Sequence, residues 1–88
     1  MFHVYIIKSS EERYYTGSTD NIENRLFLHN SKMFKGWTKR YNNWHIVYQE
    51  SFATRTEALI REKQIKKMKG GIQFKELLIT EADSSKIE

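Results

Sequence analysis

The chain has 88 residues, 15 Lys or Arg against 11 Asp or Glu, and neither cysteine nor proline. That length suits one domain, which buries only ~60–65% of the surface its unfolded chain exposes. The composition excludes a disulfide scaffold and a thiolate site, and no apolar run approaches the ~18–20 residues of a membrane span.

The start of the chain lacks the basic-then-apolar order of a secretory leader, so a cytoplasmic protein is expected. Net charge is +4, and it is uneven: the last eight residues hold three acids and one lysine, leaving 14 basic and 8 acidic groups on residues 1–80. A basic body with an acidic tail suits a polyanion partner, of which phosphate backbones are the commonest.

Phe2 to Ile7 reads FHVYII, β-branched and aromatic, and is expected to be a strand. Polar residues Ser9 to Arg13 form a turn, and Tyr14 to Ser18 a second strand of an antiparallel hairpin. Asp20, three residues before Glu23, opens a helix that runs to about Asn30. Ser31 to Arg40 is a loop with Lys32, Lys35, Lys39 and Arg40 and no acid. Trp44 to Phe52 is a third strand. Thr54 and Glu57 form a capping-box signature for a helix from Arg55 to about Lys69, stopped at Gly70-Gly71. A short last helix covers Phe74 to Ile79. The domain is expected to span residues 1–80, with 81–88 a disordered acidic tail. The order β-β-α-β-α-α describes an α+β fold, a small antiparallel sheet covered by helices.

Several residues fit a bland core poorly. Ala58, Leu59, Glu62 and Ile65 share one stripe of the second helix. A carboxylate there must be paired, hydrogen-bonded or coordinated to a metal, unless it lies at the stripe's edge and pairs with Lys66 at i+4. Arg25 and His29, one turn apart beside the apolar Ile22 and Leu26, can point at the same place; a solvated arginine and a rim histidine is the plain alternative. Tyr5 and Tyr15 on the hairpin read as packing residues, although a phenol near a cation can act as a base. His3, His29 and His45 lack the spacing of a zinc site.

Taken together, His3-Val4-Tyr5, Tyr15-Thr16-Gly17, the R-x-x-x-H of Arg25 and His29, and Glu62 within TEALIREKQIK resemble the GIY-YIG nuclease superfamily. The likeness covers roughly residues 2 to 79 and is strongest to the small standalone bacterial branch. His3, Val4 and Thr16 replace three residues of the name-giving motifs; the tyrosines and Gly17 are kept. The resemblance implies a three-stranded antiparallel sheet flanked by helices, one Mg2+ or Mn2+ on Glu62, and hydrolysis of DNA phosphodiesters. In that frame Glu62 holds the metal and Arg25 neutralises the phosphate. Tyr5 activates water, helped by His29 or Tyr15, and the two tyrosines could exchange roles.

No appended DNA-binding module is expected, so low sequence specificity follows, with structure-specific cutting in repair or recombination and a protein partner or second copy supplying specificity. The alternative is a nucleic-acid-binding module or accessory subunit with the same fold. Lys32, Lys35, Lys39 and Arg40 around Trp37 suit a backbone with one stacked base. Lys63, Lys66, Lys67 and Lys69 line the second helix as further contacts, or either group is simply solvated surface.

Overall fold

The computed structural model describes residues 1–33 and 36–87, with side chains to residue 79. Lys35, expected among the nucleic-acid contacts, lies outside the described residues. The hairpin forms as expected: β1 is Phe2–Lys8 and β2 is Tyr14–Thr19, antiparallel, with Tyr5 opposite Gly17 and Val4 opposite Ser18. Its turn is closed by the Ser9 N–H donating to the Arg13 carbonyl at 2.9 Å, and the buried Ser9 hydroxyl accepts from the Arg13 N–H at 3.1 Å. Glu12 adopts positive φ (60°), the left-handed step this turn requires.

Helix α1 covers Ile22–Asn30, and its cap corrects the expectation: Asn21, not Asp20, receives the Asn24 N–H. The Thr19 hydroxyl accepts from the Asn21 N–H at 3.1 Å, which fixes Asn21 at the helix entrance and leaves Asp20 one step outside. The loop that follows is not featureless. A single 3-10 turn, Trp37–Arg40, precedes β3 (His45–Phe52). Helix α2, Arg55–Met68, starts in the expected capping box, with the Thr54 hydroxyl accepting from the Glu57 N–H and the Glu57 carboxylate accepting from the Thr54 N–H. It ends on Lys69 in the left-handed conformation (φ 48°), one residue before Gly70. The last helix is longer than Phe74 to Ile79: α3 runs Ile72–Ile87.

The sheet order is β2-β1-β3, both pairings antiparallel. β1 is therefore central and buried on both faces, which is why it reads as an unbroken apolar run rather than an alternating one. Val4 and Ile6 face α2 and α3, packing with Tyr48, Ala58, Ile65 and Phe74. Tyr5 and Ile7 face the other way, packing with Trp44, Ile22, Leu26 and Tyr41. The register of β1 against β3 shifts between Ile6 and Ile7, so Val47 has no partner on β1.

Two polar ties hold the layers in place. The Asn30 side chain at the end of α1 forks onto the Trp44 backbone, accepting from its N–H at 2.6 Å and donating to its carbonyl at 2.9 Å. Arg61 on α2 donates to Glu50 on β3 at 2.9 Å. The neighbouring residue, Glu62, projects ~100° round the helix and meets β2 instead. The rotation of α2 is thus pinned to both outer strands. Leu59, expected on the buried stripe, is 40% exposed; Ala58 and Ile65 are the buried members.

Candidate active site

Cross-strand partners share a face of the sheet, so register decides what each side chain can reach. Tyr5, opposite Gly17, belongs to the α1 face. Its hydroxyl lies 3.1 Å from His29 Nε2, and the Arg25 guanidinium is near enough for its charge to act on it. Ser18, opposite Val4, belongs to the α2 face, and its hydroxyl donates to Glu62 Oε1 at 2.7 Å. The two halves of the site therefore lie on opposite faces and meet around the edge strand at Gly17.

Gly17 is what permits the meeting. A Cβ there would stand 2.7 Å from Tyr5 Oη and 2.9 Å from both Tyr5 Cζ and Tyr15 Cε2. The Tyr5 ring crosses the strand through the space a side chain would fill. Tyr15 closes the arrangement: its ring centroid is 4.8 Å from that of His29, 6.2 Å from that of Tyr5 and 5.9 Å from that of Trp37.

His29 is fully buried, so the rim-histidine alternative does not hold. Its pKa is pushed down to about 4, first by burial and then by the nearby Arg25 guanidinium, and it is neutral at pH 7. Burial, followed by Tyr15, raises the Tyr5 phenol above its ordinary value, against the lowering influence of Arg25. Tyr15 is also raised, again chiefly by burial, with Lys66 opposing. At neutral pH both phenols carry their protons.

Glu62 satisfies both readings its position allowed. Its side chain is only 15% exposed, and its Oε2 pairs with Lys66 at 2.6 Å while Oε1 accepts from Ser18. Its charge also acts on both tyrosines. Among the described residues no group of three or more His, Cys, Asp or Glu could cage an ion. The donor set fits a hard divalent ion all the same, since Mg2+ keeps most of its waters and takes one or two carboxylates plus substrate oxygens. Glu62 offers one such carboxylate, with Lys66 against its Oε2.

Three contributors were missed by sequence reading. Ser18 was discoverable, because β2 alternation places it beside Val4. Thr38, fully buried, meets His29 Nδ1 at 2.9 Å, and nothing in its polar loop marks it. Arg55 joins Arg25, Ser18 and Asp20 around a small recess of about 70 Å³.

On the other side of Glu62 a groove of about 390 Å³ runs between Tyr15, Trp37, Lys66, Lys69 and Phe74. Of the expected nucleic-acid contacts, Trp37, Lys66 and Lys69 border it, and the exposed Lys67 does not. Lys39, Arg40 and Lys63 are exposed and do not line it. Lys32 instead staples its own loop, donating to the Tyr41 carbonyl at 2.7 Å and Asn42 Oδ1 at 2.6 Å. Among the described residues no helix is long and apolar enough to cross a membrane.

Known proteins resemble the chain in sequence and in fold. The family model for the GIY-YIG catalytic domain matches residues 1–75. UPF0213 proteins of Staphylococcus haemolyticus and Staphylococcus saprophyticus are each 41% identical over 64 residues, covering 73% of this chain and 78% of theirs. The solution NMR structure of the UPF0213 protein BH0048 from Bacillus halodurans superposes with a TM-score of 0.53 at 26% identity, covering 91% of this chain and 84% of that one. With the family model spanning the sheet and α2, and with relatives of 41% identity over most of their length, the chain belongs to the GIY-YIG catalytic-domain family of nucleases.

Proposed function

We propose that the chain is a divalent-metal-dependent endonuclease that hydrolyses DNA phosphodiester bonds with low sequence specificity. The observation that carries this reading is the buried Tyr5 hydroxyl against His29 Nε2, within the influence of Arg25, with the largely buried Glu62 carboxylate on the far side of Gly17.

The roles follow from charge and proton position. A hard divalent ion held on Glu62 would polarise the phosphate and stabilise the leaving oxygen. Tyr5 takes a proton from the attacking water as its own proton passes to His29 Nε2, so the phenol oxygen is never left fully ionised. His29 suits this because burial keeps it neutral and its Nε2 lone pair open to the phenol. It is a weak base, so the transfer proceeds only in step with bond formation at phosphorus. Arg25 serves twice: its charge eases removal of the Tyr5 proton, and it places a positive charge where the phosphate gains negative charge. Lys66 is half exposed and can swing from Glu62 toward a phosphate. Tyr15 walls the site against His29 and Trp37. The aromatic and basic groove beside Glu62 offers a path for the flanking nucleotide.

One such site makes one nick per encounter, so double-strand cutting requires a second copy or a partner. Structure-specific cutting in cytoplasmic DNA repair or recombination is the setting proposed for this activity.

The test is incubation of supercoiled and branched DNA with the protein in Mg2+ or Mn2+, beside Glu62→Ala, Arg25→Ala and Tyr5→Phe. Cleavage that all three variants lose, with DNA binding retained, supports the proposal. Binding by the wild type with no cutting of any substrate overturns it in favour of a binding module.

A further inference from the structure

Thr38 is one of the most deeply buried residues of the chain, at 0% exposure, yet it lies in a 3-10 turn between two polar loops. Buried hydroxyls persist where they have a partner. Thr38 Oγ1 meets His29 Nδ1 at 2.9 Å, on the side of the ring opposite Tyr5. The turn is anchored so that this contact is reproducible: the Thr38 carbonyl accepts from Trp44 Nε1 at 3.0 Å and from the Tyr41 N–H at 3.1 Å.

Hydrogen-bond direction in this chain follows from the acidity of its two hydroxyls. A phenol is a much stronger proton donor than the hydroxyl of a threonine, and the charge of the nearby Arg25 strengthens that character in Tyr5. Tyr5 is therefore the donor to His29 Nε2, 3.1 Å away. Nε2 therefore accepts, and a neutral imidazole that accepts at Nε2 carries its proton on Nδ1. That proton points at Thr38 Oγ1.

We infer that Thr38 is the positioning residue of the site: its buried hydroxyl accepts the His29 Nδ1–H and stabilises the Nδ1-protonated tautomer, which keeps Nε2 open to receive the Tyr5 proton. The consequence for the reaction rests on the nuclease reading; the tautomer itself does not. Thr38 touches neither substrate nor reacting atoms. When the Tyr5 proton moves to Nε2, His29 becomes an imidazolium that still donates from Nδ1 to Thr38, so no further proton has to move. An unsupported ring is free to protonate Nε2 instead, and Tyr5 then faces a donor and cannot release its proton. Wrong-tautomer defects of this kind cost ~10⁴-fold in hydrolysis where they have been isolated.

The experiment pairs two variants. Thr38→Val keeps the shape and removes the acceptor; Thr38→Ser keeps the acceptor. Ring-nitrogen NMR on 15N-labelled protein reads the His29 tautomer, and nicking of supercoiled DNA in Mg2+ reads the rate. The wild type and Thr38→Ser are expected to show protonated Nδ1. Thr38→Val is expected to shift toward protonated Nε2 and to nick at least ~10²-fold more slowly, with serine restoring most of the rate. Protonated Nε2 in the wild type overturns the inference, and so does a Thr38→Val protein that keeps the wild-type tautomer and rate. If Thr38→Val does not fold, the wild-type and serine spectra decide the tautomer. A wild type that does not nick counts against the nuclease reading alone, because the spectra still decide the role of Thr38.

Discussion

Replacing Gly17 with alanine tests whether the site is built through the space that glycine leaves. The new Cβ would lie 2.7 Å from Tyr5 Oη, whereas ordinary contact begins at 3.4 Å, so something must move by about 0.7 Å. Tyr5 is 1% exposed and packed among Ile7, Trp44 and Tyr15, which leaves its ring no free direction. Overpacking of this kind costs about 1–3 kcal/mol. In a domain of this size each kcal/mol lowers Tm by about 4–8 °C, so the midpoint of the expected cost corresponds to a drop of about 8–16 °C. A Tyr5 hydroxyl displaced that far no longer holds its 3.1 Å contact with His29, and cleavage should fall by about 10²-fold even where the variant remains folded. The assay is thermal melting and nicking of Gly17→Ala in the wild-type and Tyr5→Phe backgrounds. Tyr5→Phe removes the closest clashing atom, so Gly17→Ala should cost less there, with a coupling of at least about 0.5 kcal/mol. A Gly17→Ala protein that melts within about 2 °C of the wild type would refute the reasoning. Equal costs in the two backgrounds would do the same.

Three further outcomes are expected. His29 has a folded-state pKa of about 4 against an ordinary 6.5, so the unfolded chain takes the proton first. Its contribution to stability is complete above pH 6.5 and is lost as the pH falls from 6.5 through 4, a change on the order of 3 kcal/mol. Urea titrations should show the stability gap between the wild type and His29→Gln narrowing across that window; a constant gap contradicts the assigned cause. Asn30→Ala removes both bonds to the Trp44 backbone and should cost about 1–3 kcal/mol in urea unfolding, with no loss expected if the fork is incidental. Lys69→Asn keeps a residue that tolerates the left-handed conformation and removes one charge from the groove beside Glu62. DNA affinity should fall evenly across sequences and the salt slope should shrink by about 0.9, which binding at several salt concentrations measures.

Features set by neighbours along the chain were legible before any coordinates. The central strand announced itself as an unbroken apolar run, and Thr54 with Glu57 marked the start of α2 to the residue. Glu62 stood out because a carboxylate interrupts an apolar stripe. Features set by distant neighbours were not legible. Thr38 looks like any loop threonine until the chain brings it against His29. Ser18 and Glu62 are 44 positions apart, and the Asn30 fork reaches 14 positions ahead. The cap of α1 failed for a smaller reason of the same kind: Asp20 and Asn21 are equally good caps in isolation, and the Thr19 hydroxyl chose between them. The tyrosines were placed on the correct hairpin, but only the register shows that the candidate residues lie on both faces of the sheet and wrap its edge strand.

That wrapping has a consequence for how a long polymer is engaged. A pocket sunk in a sheet face has a rim, and a chain must present an end or a loop to enter it. An edge has no rim in the direction across the strand. The recess at Arg25 and Arg55 opens on one side of Glu62 and the Trp37–Lys69 groove on the other. Under the proposed nuclease reading, a nucleic-acid strand is laid over β2 from the side at any point along its length, as a rope is laid over a rail. Scission from within then needs no terminus to be found first.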